Sequence, residues 1–75
     1  MAVERMDRKP VASSNIKSIA YNEEQRVLEI EFVRGGIYAY SNVPKDVYES
    51  LKNAPSTGKY FIKYIKEIFA CKRVK

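Results

Sequence analysis

Apolar and polar residues alternate most regularly in the segment VLEIEFV at residues 27–33. Leu28, Ile30 and Phe32 take one set of alternate positions, and two glutamates separate them. Successive side chains of a strand point to opposite faces of a sheet, so this pattern predicts a strand with one face in the core. A weaker apolar pattern predicts another strand, earlier in the chain, over residues 15–21. A polar turn separates it from the strand over residues 27–33.

Two glycines follow the central strand in the sequence Arg34-Gly35-Gly36. Glycine accepts positive φ without steric cost, and tight hairpin turns require such residues. The next segment, residues 37–41, is again rich in residues that favour strands. The sequence therefore predicts a β-hairpin whose second arm is a third strand.

A first helix is predicted over Pro44–Asn53. The proline that opens it suits the first helical turn, which needs no N–H donor there, and Asp46 complements the positive end of the helix dipole. Val47, Tyr48 and Leu51 are spaced three or four positions apart or adjacent, so they form the predicted inward face.

A second and longer helix is predicted after Pro55, with Ser56 as its N-cap. Helical spacing would place Phe61, Ile65 and Ile68 on one face. The residues that flank this face are Tyr60, Tyr64 and Phe69, and those opposite to it are Lys59, Lys63, Lys66 and Arg73.

Together these elements predict an α+β domain in which a three-stranded antiparallel sheet is followed by two helices packed on one face, in the order β-β-β-α-α. Residues 1–12 mix charges of both signs without periodicity, so a flexible leader is predicted there. Residues 13–75 then form one domain, because a chain of 75 residues has room for a single core.

The net charge of +5 is carried by the C-terminal segment. Residues 59–75 contain six basic residues and one acidic residue, whereas residues 1–58 contain eight of each kind. A polyanion would be attracted to the C-terminal segment, although a lysine-rich helix face is also ordinary solvation. Tyr60 and Tyr64 border these lysines, and we interpret them as edges of the core rather than as stacking groups.

The residue types argue against an enzyme and against a bound metal or cofactor. The chain has no histidine and one cysteine, Cys71, so a nucleophile lacks its usual base and the commonest zinc sites cannot form. Glu29 and Glu31 recur on one strand face, where outward charges that keep a sheet soluble are the simpler interpretation. No apolar run approaches the ~20 residues that span a bilayer, and the charged first ten residues are unlike a signal peptide, so a cytoplasmic location is predicted.

Several short motifs occur in a fixed order along most of the chain. They are Tyr38-Ala39-Tyr40 in the centre, with Phe32 and Gly35 before it and Val43-Pro44 and Val47-Tyr48 after it, then Ser13-Ser14-x-Ile16 upstream and Ser56-x-Gly58-x-Tyr60-Phe61 downstream. This ordered set resembles the lysyl-tRNA synthetase C-terminal (KTSC) domain family. The resemblance extends over residues 13–74. It departs from the family's pattern at Ile62, where a polar asparagine often follows the aromatic pair.

The resemblance implies a small accessory domain, found alone or appended to some lysyl-tRNA synthetases, for which RNA binding is suggested and tRNA is the implied partner. Combined with the C-terminal charge, it leads to the hypothesis of an RNA-binding module. The alternative is a protein–protein interaction or self-association domain, a homodimer included, that uses the same tyrosine face. The RNA-binding candidates are Tyr38, Tyr40, Lys59, Lys63, Lys66 and Arg73.

The direction of Tyr38 and Tyr40 depends on the register of the hairpin. A two-residue turn would place both tyrosines on the same face as Glu31, away from the core. A three-residue Arg34-Gly35-Gly36 loop would instead place Tyr38 across from Phe32 and Tyr40 across from Ile30, which buries both. Because two-residue loops are the commonest hairpin connections, we favour the outward orientation, in which the rings could stack on RNA bases.

Overall fold

The computed structural model describes residues 9–11 and 13–75. Within these residues, five strands and two helices follow one another along the chain. The elements are β1 (Lys9–Pro10), β2 (Ile16–Asn22), β3 (Val27–Phe32), β4 (Ile37–Tyr40), α1 (Lys45–Asn53), α2 (Thr57–Tyr64) and β5 (Cys71–Arg73). Neither helix of this described part is long and apolar enough to cross a membrane.

The strands of the described residues form one antiparallel sheet in the order β1-β2-β3-β4-β5. The predicted α+β class is confirmed, but the prediction of three strands is wrong, because a short strand extends the sheet at each edge. At one edge, Lys9 of the predicted leader pairs with Ile19 of β2. Of the predicted leader, the structure describes Lys9, Pro10 and Val11. Residues 1–8 and 12 lie outside the described residues.

The second helix is shorter than predicted, and a strand follows it. α2 ends at Tyr64, and Ile65 already departs from helical geometry with φ −125° and ψ −47°. The chain then returns as β5 along the free edge of β4, where Tyr38 pairs with Arg73. This pairing satisfies backbone groups of β4 that a longer helix would leave without a strand partner. Ile68 is consequently exposed, and its prediction as an inward residue of the helix is wrong.

A three-residue loop joins β3 to β4. The Phe32 N–H donates to the Gly36 carbonyl at 3.1 Å, and the Gly35 N–H donates to the Phe32 carbonyl at 2.9 Å. Gly35 and Gly36 have φ of +108° and +94°, which glycine adopts at little steric cost. A glycine with positive φ after the turn is typical of three-residue hairpin loops. Phe32 and Gly36 close the loop, so its three residues are Val33, Arg34 and Gly35.

The length of the loop turns the β4 tyrosines toward the helices. Tyr38 lies opposite Ile30, and Tyr40 lies opposite Leu28, so both tyrosines share the face of the core residues. The favoured outward orientation is wrong, because one additional loop residue reverses the parity of β4. The inward orientation agrees with the three-residue alternative. The register differs from it, because each tyrosine pairs with a β3 residue two positions earlier than that alternative predicted.

The core lies between the sheet and the two helices. Its fully buried aliphatic side chains are Ile16, Ile19, Leu28, Ile30, Val43, Leu51 and Ile65. Helix α1 begins at Lys45, one residue after the predicted start, with Pro44 as its N-cap. Helix α2 follows Ser56 as predicted, and the Ser56 Oγ accepts a hydrogen bond from the Lys59 N–H at 3.3 Å. The predicted inward residues Tyr48 and Leu51 of α1 are buried.

Each helix packs one aromatic side chain on a tyrosine of the sheet. Tyr48 of α1 stacks on Tyr21, with ring centres 4.7 Å apart and planes 9° apart. Phe61 of α2 meets Tyr40 edge to face at 5.5 Å and Phe32 at 5.6 Å. Aromatic pairs of this kind add about 0.5–1.5 kcal/mol each beyond the area that they bury.

The glutamates of β3 lie on the opposite face of the sheet. The Ser18 hydroxyl donates to the Glu31 carboxylate at 2.8 Å, and the Lys17 Nζ lies 4.0 Å from the same carboxylate. Glu29 shares this face through the alternation of the strand. The sheet therefore separates both glutamates from the helices and from the β4 tyrosines.

Candidate functional site

One side of α2 forms a basic and aromatic patch, which we name the α2 surface and define by Lys59, Tyr60, Lys63 and Tyr64. The two lysines are four positions apart, as are the two tyrosines, so each pair lies together on the helix. The tyrosine ring centres are 4.6 Å apart with planes tilted by 40°. The Lys63 ammonium lies 5.2 Å from the centre of the Tyr64 ring. The Tyr64 ring is open to solvent, with 44% of the residue exposed, whereas Tyr60 is partly buried against the core.

The positive charge of the α2 surface is not neutralised within the described part of the chain. α2 contains no acidic residue. Lys59 and Lys63 are both exposed, and neither forms an ion pair with a carboxylate among the described residues. Exposed lysines of this kind bind phosphates by releasing counterions.

A cleft of about 550 Å³ lies between α2 and the β3–β4 hairpin, and we name it the aromatic cleft. Its floor is formed by the buried side chains of Ile16, Tyr40 and Phe61. Phe32 and Tyr38 line it as well, and their rings meet edge to face at 5.6 Å. Since Phe32 also contacts Phe61, which contacts Tyr40, the four rings form one continuous chain.

The rim of the aromatic cleft is exposed and basic. Arg34 of the hairpin loop and Lys66 after α2 stand on this rim with Asn15, Ile62 and Cys71. The lining residues include no carboxylate, and neither rim cation forms an ion pair within the described part of the chain. The cleft thus combines an aromatic interior with two cations at its mouth.

A close contact between Ser13 and Gly58 holds α2 against the start of β2. The Ser13 Oγ accepts hydrogen bonds from the N–H groups of Asn15 and Ile16, each at 3.2 Å. A Cβ added at Gly58 would lie 3.1 Å from this oxygen, which is closer than ordinary van der Waals contact. Glycine at this position therefore allows the approach that brings two walls of the aromatic cleft together.

The hydroxyl on the floor of the cleft is a neutral phenol at physiological pH. Burial raises the pKa of Tyr40 well above its usual value, and the adjacent Cys71 side chain, which hydrogen-bonds to Tyr40, and Tyr38 raise it further. Beside the cleft, the Arg73 guanidinium lies 5.9 Å from the centre of the Tyr38 ring, and its Nε donates to the Lys75 carbonyl at 2.8 Å. The Tyr40 hydroxyl therefore keeps its proton to a higher pH than a free tyrosine does.

The structure separates the six RNA-binding candidates that the sequence predicts. Lys59 and Lys63 lie together on the α2 surface. Arg73 belongs to β5 rather than to the helix, because α2 ends nine residues before it. The candidates that line the aromatic cleft are Tyr38, Tyr40 and Lys66.

The predicted exposed tyrosine face does not exist on this sheet. Tyr40 is 4% exposed, and Tyr38 is partly buried against the core. Neither ring can therefore stack on a base from the open face of the sheet. The self-association alternative loses the same surface, because it depended on the same orientation.

Several residues of both surfaces were not predicted as site residues. Tyr64 was interpreted as a core edge, but it is exposed, whereas Tyr60 packs against the core as predicted. Arg34 and Ile62 reach the cleft rim from separate elements, and no spacing in the sequence connects them. Among the described residues, no three His, Cys, Asp or Glu side chains come together where they could hold a metal ion.

One protein-family model matches most of this chain. The family model described as the KTSC domain matches residues 12–69, which include β2 to α2 and therefore the α2 surface. A crystal structure of a KTSC domain protein from Yersinia pestis superposes with a TM-score of 0.91 and is 39% identical. The superposition covers 95% of this chain and 100% of that chain.

Two kinds of relatives appear among curated proteins. An uncharacterized protein of Stutzerimonas stutzeri is 41% identical over 56 residues, which are 75% of this chain and 79% of that protein. A lysine–tRNA ligase of Nostoc punctiforme is 46% identical over 56 residues, and one of Nostoc sp. is 48% identical over 56 residues. The matched region is only 10% of each ligase.

Proposed function

This chain belongs to the KTSC domain family, and from that premise we propose that it is a small RNA-binding module, not an enzyme, which contacts RNA through the α2 surface. Lysine–tRNA ligases, which act on a tRNA, carry a related region. That relationship makes tRNA one of the RNAs to test.

The observation that carries the proposal is the combination of lysines without an ion pair among the described residues and the exposed ring of Tyr64 on the α2 surface. Lys59 and Lys63 can each approach a backbone phosphate, because no carboxylate of the described residues holds them. The ring pair of Tyr60 and Tyr64 offers a platform on which an unpaired base can stack. Together they match the two repeating parts of a single strand, which are the phosphate and the base.

The position of the acidic side chains favours this assignment. Glu29 and Glu31 lie on the sheet face opposite the helices, so they do not oppose a phosphate that approaches α2. These two carboxylates would repel RNA only if the contact were on the open face of the sheet. Because α2 itself has no acidic residue, its charge favours the approach of a polyanion to the α2 surface.

The proposed contact reads shape and charge more than sequence. Lysine–phosphate contacts carry no sequence information, and every base has a ring face that can stack on tyrosine. We therefore expect binding to single-stranded RNA and to the loops of tRNA with little preference among sequences.

The test of the lysines is a pair of charge-matched double variants. Lys59→Glu with Lys63→Glu should weaken binding to all RNAs and reduce the slope of log affinity against log salt by about 1.4, since each phosphate contact with a single strand contributes about 0.7. Lys17→Glu with Lys45→Glu changes the net charge equally at exposed positions outside α2. Fluorescence anisotropy with labelled single-stranded RNA at several salt concentrations measures both effects.

Three results would contradict the proposal. They are equal losses in the two double variants, binding of heparin as tight as that of RNA at matched charge, and absence of RNA binding at low salt. Equal losses would show a response to net charge alone, and heparin binding would show that the rings make no contribution.

The test of the ring platform is at Tyr64. Tyr64→Ala should cost about 1–3 kcal/mol of single-strand affinity with little change in salt slope, because stacking releases no counterions. Tyr64→Phe keeps the ring and should retain affinity, which separates stacking from loss of the hydroxyl. Since Tyr64 is exposed, both variants should stay folded, and circular dichroism checks this.

A further inference from the structure

The aromatic cleft is a second surface that the proposed RNA contact does not use. The α2 surface and the cleft have no residue in common, and α2 stands between them. Tyr60 and Tyr64 face the end of α1 near Pro55, whereas Phe61 and Ile62 of the same helix line the cleft. A ligand in the cleft would therefore contact a different part of the molecule.

The cleft has the size and the interior of a small-molecule site. Its volume of about 550 Å³ lies within the usual range of ligand pockets, which is roughly 300–1,000 Å³. Its floor is rigid, because Ile16, Tyr40 and Phe61 belong to the core cluster. Phe32 and Tyr38 present an edge-to-face ring pair next to this floor, which suits a flat aromatic ligand.

The charge of the rim selects the other half of the ligand. Arg34 and Lys66 stand at the mouth with no carboxylate among the lining residues of the described chain. An arginine guanidinium binds a phosphate through two parallel hydrogen bonds, and a lysine adds a point charge. The Asn15 side chain offers both a donor and an acceptor, as the edge of a base requires.

From these features we propose that the aromatic cleft binds one nucleobase together with its phosphate, as a unit separate from the α2 surface. The base lies against the rings of Phe32 and Tyr38, and the phosphate lies between Arg34 and Lys66. The unit can be a free nucleotide or one unpaired nucleotide of an RNA. Only the second source depends on the proposed function.

The single cysteine of the chain provides a direct probe of the cleft. Cys71 is exposed and lines the cleft, so its alkylation by iodoacetamide reports whether the site is filled. At AMP or UMP concentrations about ten times the dissociation constant, mass action should slow alkylation about tenfold. Mass spectrometry of the intact protein follows the reaction.

A matched pair of variants identifies the site. Ile62→Glu places a carboxylate on the rim, where it repels the phosphate, and should abolish the protection of Cys71. Ile68→Glu makes the same change at a position that does not line the cleft and should leave protection intact. Both side chains are exposed, at 56% and 64%, so both variants should fold, which circular dichroism checks.

Comparing free nucleotides, RNA oligonucleotides and benzoate shows which ligand protects Cys71. Protection by AMP or UMP that persists in Lys59→Glu with Lys63→Glu supports a free nucleotide. Protection by an RNA oligonucleotide alone, lost in Ile62→Glu and absent with an abasic oligonucleotide, supports an unpaired nucleotide of RNA. Protection by benzoate equal to that by AMP would overturn the proposal, because the site would then accept any aromatic anion. Absence of protection by both nucleotides and RNA would also overturn it and would leave RNA binding at the α2 surface unaffected.

Discussion

The two helices pack on the same face of the sheet, but they differ in the charge that they present to solvent. In α1, Lys45 pairs with Glu23 at 3.4 Å and Lys52 pairs with Glu49 at 3.3 Å. In α2, by contrast, there is no acidic residue, and its lysines have no ion pair within the described residues. The lysines of α1 are thus paired inside the domain, and those of α2 are available to a ligand.

The helices also differ in how they meet the sheet. Tyr48 of α1 lies flat on Tyr21, whose hydroxyl donates to the Val43 carbonyl at 2.6 Å, so this side of the core is closed. Phe61 of α2 meets Tyr40 edge to face, and the aromatic cleft opens beside it. Structural support is therefore the role that we expect of α1, and ligand contact is the role that we propose for α2, which has a candidate site on each side.

The largest expected effects come from the buried side chain of each helix. Leu51→Ala in α1 should lower the free energy of unfolding by about 2–5 kcal/mol, and Phe61→Ala in α2 by about 3–5 kcal/mol, because each leaves a cavity in the core. Urea denaturation measures both losses. Natural domains are stabilised by about 5–15 kcal/mol, so either change removes a large share.

Binding by these two variants tests the division between the helices. Both variants should be assayed at low temperature, where they remain folded. Leu51→Ala should retain RNA affinity. Phe61→Ala should lose the protection of Cys71 by nucleotides, because Phe61 forms the floor of the cleft. Weaker RNA binding by folded Leu51→Ala would contradict a purely supporting role for α1.

The next largest effect is a loss of stability at alkaline pH. It allows a comparison of Tyr21, which packs against α1, with Tyr40, which packs against α2. Burial raises the pKa of both Tyr40 and Tyr21, so the unfolded chain releases these protons at lower pH than the folded chain. Stability is therefore complete below the unfolded tyrosine pKa of about 10 and falls above it, by up to about 1.4 kcal/mol per pH unit for each tyrosine.

Replacement of each tyrosine by phenylalanine should reduce this alkaline loss. We expect the larger reduction from Tyr40→Phe, because the Tyr40 pKa is raised further, by burial and by Cys71. Urea denaturation at pH values from 8 to about 11 measures the slope. A slope in Tyr40→Phe as steep as in the unmodified protein would show that Tyr40 titrates equally in both states.

The smallest effect concerns the beginnings of the helices. Ser56→Ala should lower the free energy of unfolding by about 1 kcal/mol, because it removes the hydrogen bond from the Lys59 N–H. α1 has no equivalent side-chain cap, and Asp46→Ala should cost only about 0.3–1 kcal/mol through the helix dipole. Thermal melts compare them, and a larger loss for Asp46→Ala would reverse the ranking.

The elements that the sequence predicts correctly are those with local signals. The alternation in β3, the proline before α1 and the serine before α2 each act within a few residues, so pattern and capping chemistry locate them. β1 and β5 have two and three residues, too few to show a period, and their pairing depends on open edges of β2 and β4.

The candidate sites were predictable only in part, for a related reason. The lysines of the α2 surface follow helical spacing, which a sequence shows directly. The orientation of Tyr38 and Tyr40 depended on a single residue of loop length, which residue types alone did not determine. The aromatic cleft draws residues from β2, the hairpin, α2 and β5, so only the tertiary fold assembles it.

The two short outer strands have a consequence for how this domain behaves beside other chains. An edge strand can recruit a strand from a neighbouring molecule, which leads to aggregation or exchange of elements. Within the described residues the edge strands are two and three residues long, Pro10 lacks an N–H to donate, and Lys9 and Lys72 place charge there. We expect the sheet to end at these strands and not to continue into a second molecule. A sheet that ends in this way suits a domain that occurs in different settings. Its relatives include a small separate protein and a region that makes up a tenth of a large ligase.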